Sequence, residues 1–198
     1  MREQARVVIV LTLVSLVAGA ALAYTYEATL PRIRANEAEA RQEALKDVVP
    51  GTARFTPLTV KVQLTGAGGK PEARQVEVYQ CLDASGNLVG LAYIAEPVGF
   101  ADTIRLMVGL DPAARRILAI RVLDLKETPG LGVKVREEKF TGQFKGKNLA
   151  DPFVAARAGS DLQAVTGATI SSKAVARGVK ESAEAVLAAY AQEEGGRT

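Results

Sequence analysis

An apolar run near the start of the chain constrains its folding most. From Val7 to Tyr24 no residue is charged, while Arg2, Glu3 and Arg6 precede the run. A helix over these 18 positions extends about 27 Å, which is close to the thickness of the hydrocarbon core of a bilayer. The run therefore predicts a membrane segment.

Two kinds of membrane segment have this composition. One is an uncleaved transmembrane anchor over residues 1–26. The other is a cleaved signal peptide, because Ala21-Leu22-Ala23 matches the small-x-small pattern of a cleavage site, although the apolar core of a signal peptide usually spans only ~7–15 residues. The length of the run favours the anchor. The early arginines favour a cytoplasmic amino terminus, so we expect a single-pass protein of the cytoplasmic (inner) membrane whose remaining chain lies on the extracytoplasmic, periplasmic side.

Composition excludes several kinds of chemistry. The chain has no histidine, one cysteine (Cys81) and 25 Lys+Arg against 22 Asp+Glu, a net charge of +3. Without histidine there is no Ser-His-Asp or Cys-His nucleophile pair, and one cysteine cannot build a zinc or iron–sulfur site. A small, interleaved positive charge is not that of a nucleic-acid binder. We therefore expect no acid/base catalytic residue, no metal and no nucleic acid, and we place Cys81 in the core.

Beyond the anchor, patterning predicts a juxtamembrane helix and one α+β domain. Residues 27–50 are rich in Ala, Glu and Arg and end at Pro50-Gly51, which is typical of a helical stalk closed by a breaker. Over 51–198, alternating apolar residues predict an antiparallel sheet with flanking helices, and a turn over 66–70. Apolar residues at helical spacing predict a last helix over 172–192. The predicted strands cover 58–64, 75–82, 88–95, 103–110 and 117–124.

Two segments are explained by neither strand nor helix patterning. The first is Glu127-Thr128-Pro129-Gly130-Leu131-Gly132. Pro-Gly fits a tight turn, and the two glycines let a flat or bulky group approach the backbone closely. From spacing alone, a plain turn and a ligand-contacting loop both remain open.

The second segment is Thr166-Gly167-Ala168-Thr169-Ile170-Ser171-Ser172, which runs into the predicted last helix. Hydroxyls and a glycine at a helix start offer free N–H groups, side-chain donors and the positive end of the helix dipole. Together they make a site for a phosphate. Ordinary capping by Ser171 or Ser172 is the alternative. Because the Gly-Lys-Ser/Thr of a nucleotide P-loop is missing, nucleotide hydrolysis is not supported.

The two segments, in this order behind one anchor, resemble the FMN-binding domain of RnfG, a component of Rnf-type electron transport complexes. The related NqrC component of the sodium-pumping NADH:quinone reductase shares this domain. The resemblance extends from the anchor to the last helix. It implies a membrane-bound flavoprotein that carries electrons as part of a translocase, an ion-translocating ferredoxin:NAD oxidoreductase engaged in ion transport, with the other membrane subunits as its partners.

The resemblance also implies a covalent flavin. In such proteins FMN is joined through its phosphate to the last threonine of the Ser/Thr-Gly-Ala-Thr motif by a flavin transferase that uses FAD. Here that residue is Thr169. Thr166, Gly167, Ala168, Ser171 and Ser172 would surround the phosphate as donors or caps, and Glu127, Thr128, Pro129, Gly130, Leu131 and Gly132 would form a wall against the flavin.

One position departs from the family. An Asp commonly stands three residues before the first Ser/Thr of the flavin motif, whereas this chain has Gln163, with Asp161 two residues earlier. The alternative function is an anchored extracytoplasmic module that binds an anionic ligand reversibly at residues 166–172 and has no redox role.

Overall fold

The computed structural model of the chain describes residues 2–65, 71–125, 132–156 and 159–195. They form two compact units, Met1–Gln42 and Glu43–Thr198. The predicted turn over 66–70 and residues Glu127 to Leu131 of the first motif lie outside the described residues.

The first unit is most of one long helix, α1 (Arg2–Val48). This helix is long and apolar enough to cross a membrane, and its apolar stretch is not buried by other parts of the chain. Exposed Val, Ile and Leu side chains along residues 7–17 require an apolar surrounding. The hydroxyl of Thr12 donates to the carbonyl of Val8 (2.9 Å), so this polar group needs no water.

The predicted anchor and the predicted stalk are one continuous helix. It passes through Pro31 without a break. It ends at Val48, directly before Pro50-Gly51, and Gly51 takes a left-handed φ of 86°. A glycine in this conformation just after the last turn is a common helix terminator. The breaker expected at Pro50-Gly51 is therefore confirmed, and no boundary separates residues 26 and 27.

The second unit contains a five-stranded antiparallel sheet in which neighbours in sequence are neighbours in space. The α+β fold with an antiparallel sheet and flanking helices is confirmed. Each predicted strand is present, with the first two starting earlier than expected. The strands are β1 (Arg54–Thr65), β2 (Pro71–Leu82), β3 (Leu88–Ala95), β4 (Ile104–Asp111) and β5 (Arg116–Leu125).

The sheet has apolar side chains on both faces, so each face needs a cover. One face carries the main core, which includes Leu91, Tyr93 and Leu106 and is covered by the last helix. The other face carries a smaller core in which Ala92, Cys81 and Met107 meet Leu45 and Val48 from the end of α1. The position of Cys81 in a core is thereby confirmed.

The chain between β5 and the last helix consists of short elements that patterning does not predict. A 3₁₀-helix (Gly132–Arg136) is followed by α2 (Glu138–Thr141) and a second 3₁₀-helix (Gly142–Phe144). Two short parallel strands, β6 (Ala155–Ala156) and β7 (Leu162–Gln163), come next. The last helix, α3 (Thr169–Gly195), then begins three residues before the predicted start.

Contacts along α3 fix its direction over the sheet. Near its carboxyl end, the hydroxyl of Tyr190 accepts a hydrogen bond from Gln80 at the end of β2 (3.0 Å). Nearer its start, Gly178 lies against Pro97, which follows β3, so closely that a Cβ at this glycine would lie 2.5 Å from the Cβ of Pro97. The start of α3 therefore lies toward the sheet end where β3 finishes and β4 begins.

Candidate functional site

The described residues that flank the first motif pack against the elements that carry the second. Leu125, the last residue of β5, pairs with Ile104, whose N–H donates to the carbonyl of Pro97 (2.9 Å). On the other side of the motif, Gly132 is buried and starts a 3₁₀-helix that packs against β5 and α3. Of the predicted flavin wall, only Gly132 lies within the described residues.

The second motif forms a tight turn that leads into α3. The N–H of Ala168 donates to the carbonyl of Val165 (2.9 Å). Gly167, between them, has a φ of 82°, a left-handed conformation that favours glycine. Thr166 is only partly buried, and Thr169 follows the buried Ala168 at the first position of the helix. The turn thus places two threonine hydroxyls at the mouth of the helix.

Ser172 holds this turn to the first turn of the helix. Its side chain is fully buried. Its hydroxyl accepts from the N–H of Val165 (3.0 Å) and donates to the carbonyl of Ala168 (2.8 Å). Ser171 is also buried. In this structure Ser172 serves the backbone, which is the capping alternative, while a role of either serine toward a phosphate stays a prediction.

Backbone donors around Thr169 are unused. The first N–H groups of an α-helix have no partner inside the helix, and those at this helix start find none elsewhere in the described part of the chain. The N–H groups at the turn before the helix are in the same state. These donors belong to Thr166, Gly167, Thr169, Ile170 and Ser171.

This arrangement fits the phosphate of an esterified flavin. Convergent N–H donors and the positive end of the 27-residue helix α3 favour an anion. Thr169 stands among the donors and supplies the hydroxyl that a phosphoester needs. No group of at least three His, Cys, Asp or Glu residues that could hold a metal is found among the described residues.

A separate groove of about 650 Å³ runs beside α3, between that helix and strands β1 to β4. Arg105 lines it, and its buried Nε has no hydrogen-bond partner among the residues that the structure describes. Oε1 of Glu96 lies 3.2 Å from this atom but out of line for a hydrogen bond. None of residues 166–172 lines the groove, so it is distinct from the site at Thr169.

The two positions where the chain departs from the resemblance have defined partners. Asp161 forms an ion pair with Lys147, a largely buried ammonium. Gln163 is exposed, and both polar groups of its backbone bond to the side chain of Gln143. Sequence reasoning missed Gln143, because a lone glutamine twenty residues from its partner gives no local signal.

Comparison with known proteins matches both parts of the chain. Residues 3–48 match the RnfG N-terminal region, and residues 99–184 match the FMN-binding domain family. A solved structure, NqrC of Shewanella oneidensis, has a TM-score of 0.49 and 25% identity over 66% of this chain and 64% of its own.

Relatives cover nearly the full length. The G-type subunit of an ion-translocating oxidoreductase complex from Methanosarcina acetivorans is 34% identical over 88% of this chain and 89% of its own. Its counterpart in the proton-translocating ferredoxin:NAD(+) oxidoreductase complex of Clostridium ljungdahlii is 30% identical over 89% of this chain and 88% of its own. The Na(+)-translocating counterpart from Acetobacterium woodii is 33% identical over 88% and 87%.

Length, identity and the two family matches agree with the antiparallel fold and with the anion-binding turn at the start of α3. The chain belongs to the RnfG family of subunits in ion-translocating oxidoreductase complexes and contains an FMN-binding domain.

Proposed function

We propose that this chain is a membrane-anchored electron-transfer subunit that carries FMN covalently on Thr169, within an ion-translocating ferredoxin:NAD oxidoreductase complex. The observation that carries the proposal is the turn over residues 165–169 at the start of α3, here called the flavin turn. It places Thr169 among N–H groups that donate to nothing else in the described chain. A phosphoester at this hydroxyl would keep its remaining negative charge beside those donors and the helix dipole.

The attachment step balances with FAD as the co-reactant. The flavin transferase breaks the phosphoanhydride bond of FAD, and a phosphoester bond forms between the flavin phosphate and the Thr169 oxygen. AMP leaves, and the threonine hydroxyl loses its proton. The product is heavier than the unmodified chain by FMN minus one water.

When bound, FMN supplies the electron-transfer chemistry, which no side chain of this protein offers. The protein supplies attachment, position and electrostatics. The flavin turn places the phosphate, and the residues from Glu127 to Gly132 form a wall against the flavin. Gly130 and Gly132 let the wall's backbone come close, so that its N–H groups adjust the flavin's electronics.

The proposed setting is the cytoplasmic membrane, with α1 as an uncleaved anchor and the FMN-binding domain on the extracytoplasmic side. Tethering a redox group to the membrane confines it near its partners, so that a high effective concentration replaces tight binding. The proposed partners are the other membrane subunits of the complex and, during maturation, the flavin transferase.

The experiment is coexpression of the full chain with a flavin transferase, followed by intact-mass measurement and flavin fluorescence of the denatured protein. Thr169→Ala removes the acceptor, while Thr166→Ala is the matched control because it removes the other threonine hydroxyl of the same turn. We expect one FMN-minus-water increment in the wild type and in Thr166→Ala, and none in Thr169→Ala.

An increment that persists in Thr169→Ala would overturn the assignment of the acceptor. Flavin that is present in the native protein but released on denaturation would overturn covalent attachment and favour reversible binding of an anionic ligand at the same donors. A chain that takes up no flavin under conditions that modify a related RnfG protein would overturn the proposal as a whole.

A further inference from the structure

The segment that leads into the flavin turn is held from both sides. The N–H groups of Leu162 and Ala164 donate to the carbonyls of Val154 (3.1 Å) and Ala156 (2.7 Å). In an extended segment, successive N–H groups point to opposite sides, so the intervening N–H of Gln163 points away from this pairing. A third strand would normally accept it.

A side chain takes the place of that third strand. The Gln143 side-chain oxygen accepts from the N–H of Gln163 (2.7 Å), and its Nε2 donates to the carbonyl of the same residue (3.2 Å). The same Nε2 also donates to the carbonyl of Lys139 in α2 (3.0 Å). A primary amide offers a carbonyl acceptor and two N–H donors in a plane, and here the oxygen and both donors are used.

The hydrogen bonds change character at Thr166. Each N–H from Leu162 to Val165 has a partner, the last being the hydroxyl of Ser172. The N–H groups of Thr166 and Gly167 have none in the described chain. A fully bonded segment therefore ends directly before these unused donors, and the Gln143 amide secures its outer side.

We propose that Gln143 is a positioning residue for flavin attachment. By bonding both polar groups of Gln163, its amide holds residues 162–165 extended and so presents the flavin turn to the flavin transferase in one conformation. The inference rests on the proposed attachment at Thr169. It assigns to a glutamine outside both motifs a role in the same site.

Loss of the amide acts through the population of the presented conformation. The two bonds to Gln163 are each worth about 1 kcal/mol, and a binding-competent state that is only partly populated weakens apparent affinity in proportion to its population. Replacing Gln143 by the unbranched, apolar Met keeps most of the side chain's volume and removes its three hydrogen bonds. We expect about a tenfold rise in the KM of the transferase for this chain, with kcat unchanged.

The test uses the full chain in detergent, a purified flavin transferase and FAD, with initial rates of covalent flavin incorporation measured against acceptor concentration. Wild type, Gln143→Met and Gln80→Met are compared at a temperature where circular dichroism shows all three folded. Gln80 is the matched control, because its amide donates to Tyr190 (3.0 Å) near the far end of α3. Amide hydrogen exchange at Gln163 and Val165 is followed on the same unmodified proteins.

The expected result is a raised KM and faster exchange at Gln163 and Val165 in Gln143→Met, with both values near wild type in Gln80→Met. A KM within twofold of wild type for folded Gln143→Met would overturn the inference, as would equal effects of the two substitutions, which would indicate a general loss of stability. Failure of the proposed function is distinguishable, because the wild-type chain itself would then acquire no flavin on Thr169.

Discussion

Removal of the Ser172 hydroxyl is the sharpest probe of how the flavin turn is held. In Ser172→Ala the N–H of Val165 loses its acceptor, and the carbonyl of Ala168 loses one of two donors while keeping the N–H of residue 172 (2.8 Å). A partly buried N–H left without a partner costs about 1–3 kcal/mol. Because the Ala168 carbonyl stays bonded, we take about 2 kcal/mol as the expected loss.

Thermal unfolding of the full chain in detergent, followed by circular dichroism, measures this loss. For a protein of this size 1 kcal/mol shifts Tm by about 2–4 °C, so Ser172→Ala should unfold about 4–8 °C below wild type. Ser171→Ala is the stability control, since this neighbouring serine is equally buried and its hydroxyl has no hydrogen bond in the described part of the chain. A Tm for Ser172→Ala within a degree or so of Ser171→Ala would refute the reasoning.

Two further predictions concern the second, smaller core. In Gly109→Ala the new Cβ would lie 2.1 Å from the carbonyl oxygen of Val48, so the end of α1 must shift from the sheet at a cost of about 3 kcal/mol. Gly142→Ala, where the nearest atom is 3.9 Å away, should leave Tm nearly unchanged, and equal Tm values would contradict this packing. Burial raises the pKa of Cys81 from 9.0 to about 11, so the folded thiol should resist alkylation at pH 8 and react on unfolding. Because the unfolded thiol ionises first, stability should fall as pH rises from about 9 to 11, and rapid labelling of the folded protein would contradict this burial.

The sequence predicts the sheet well because its strands are long and alternate apolar and polar residues. The predicted strand over 88–95 coincides with the observed one, since its apolar run has a clear start after a turn and a clear end before Glu96. The first two strands begin four residues earlier than predicted. Their extra residues, from Arg54 and from Pro71, form the outer part of a regular ladder but contain no alternating apolar pattern.

The segment between β5 and α3 is not predictable by periodicity. Its helices and strands are two to five residues long, which is shorter than an amphipathic pattern needs in order to be detected. Its conformation is fixed instead by hydrogen bonds from side chains to distant backbone, such as Gln143 to Gln163, and by packing of Phe140 against Phe144.

The candidate site is predictable in type but not in detail. Thr169 and Gly167 follow from their residue types at a helix start, and the structure shows a left-handed turn at Gly167 beside N–H groups with no partner among the described residues. Whether Ser172 faces the turn or a ligand cannot be read from sequence, because that depends on which side of α3 packs on the sheet. The same holds for α1, whose last apolar residues join a core that local pattern does not reveal.

The most direct test of the account is fragment-level mass spectrometry of the subunit purified from its own membrane. The chain is digested without exposure to phosphatase or strong base, and the peptide that spans residues 166–173 is fragmented. The account predicts an increment of FMN minus one water located on Thr169. An unmodified Thr169 in a subunit whose complex is active, or the increment on another residue, would contradict it.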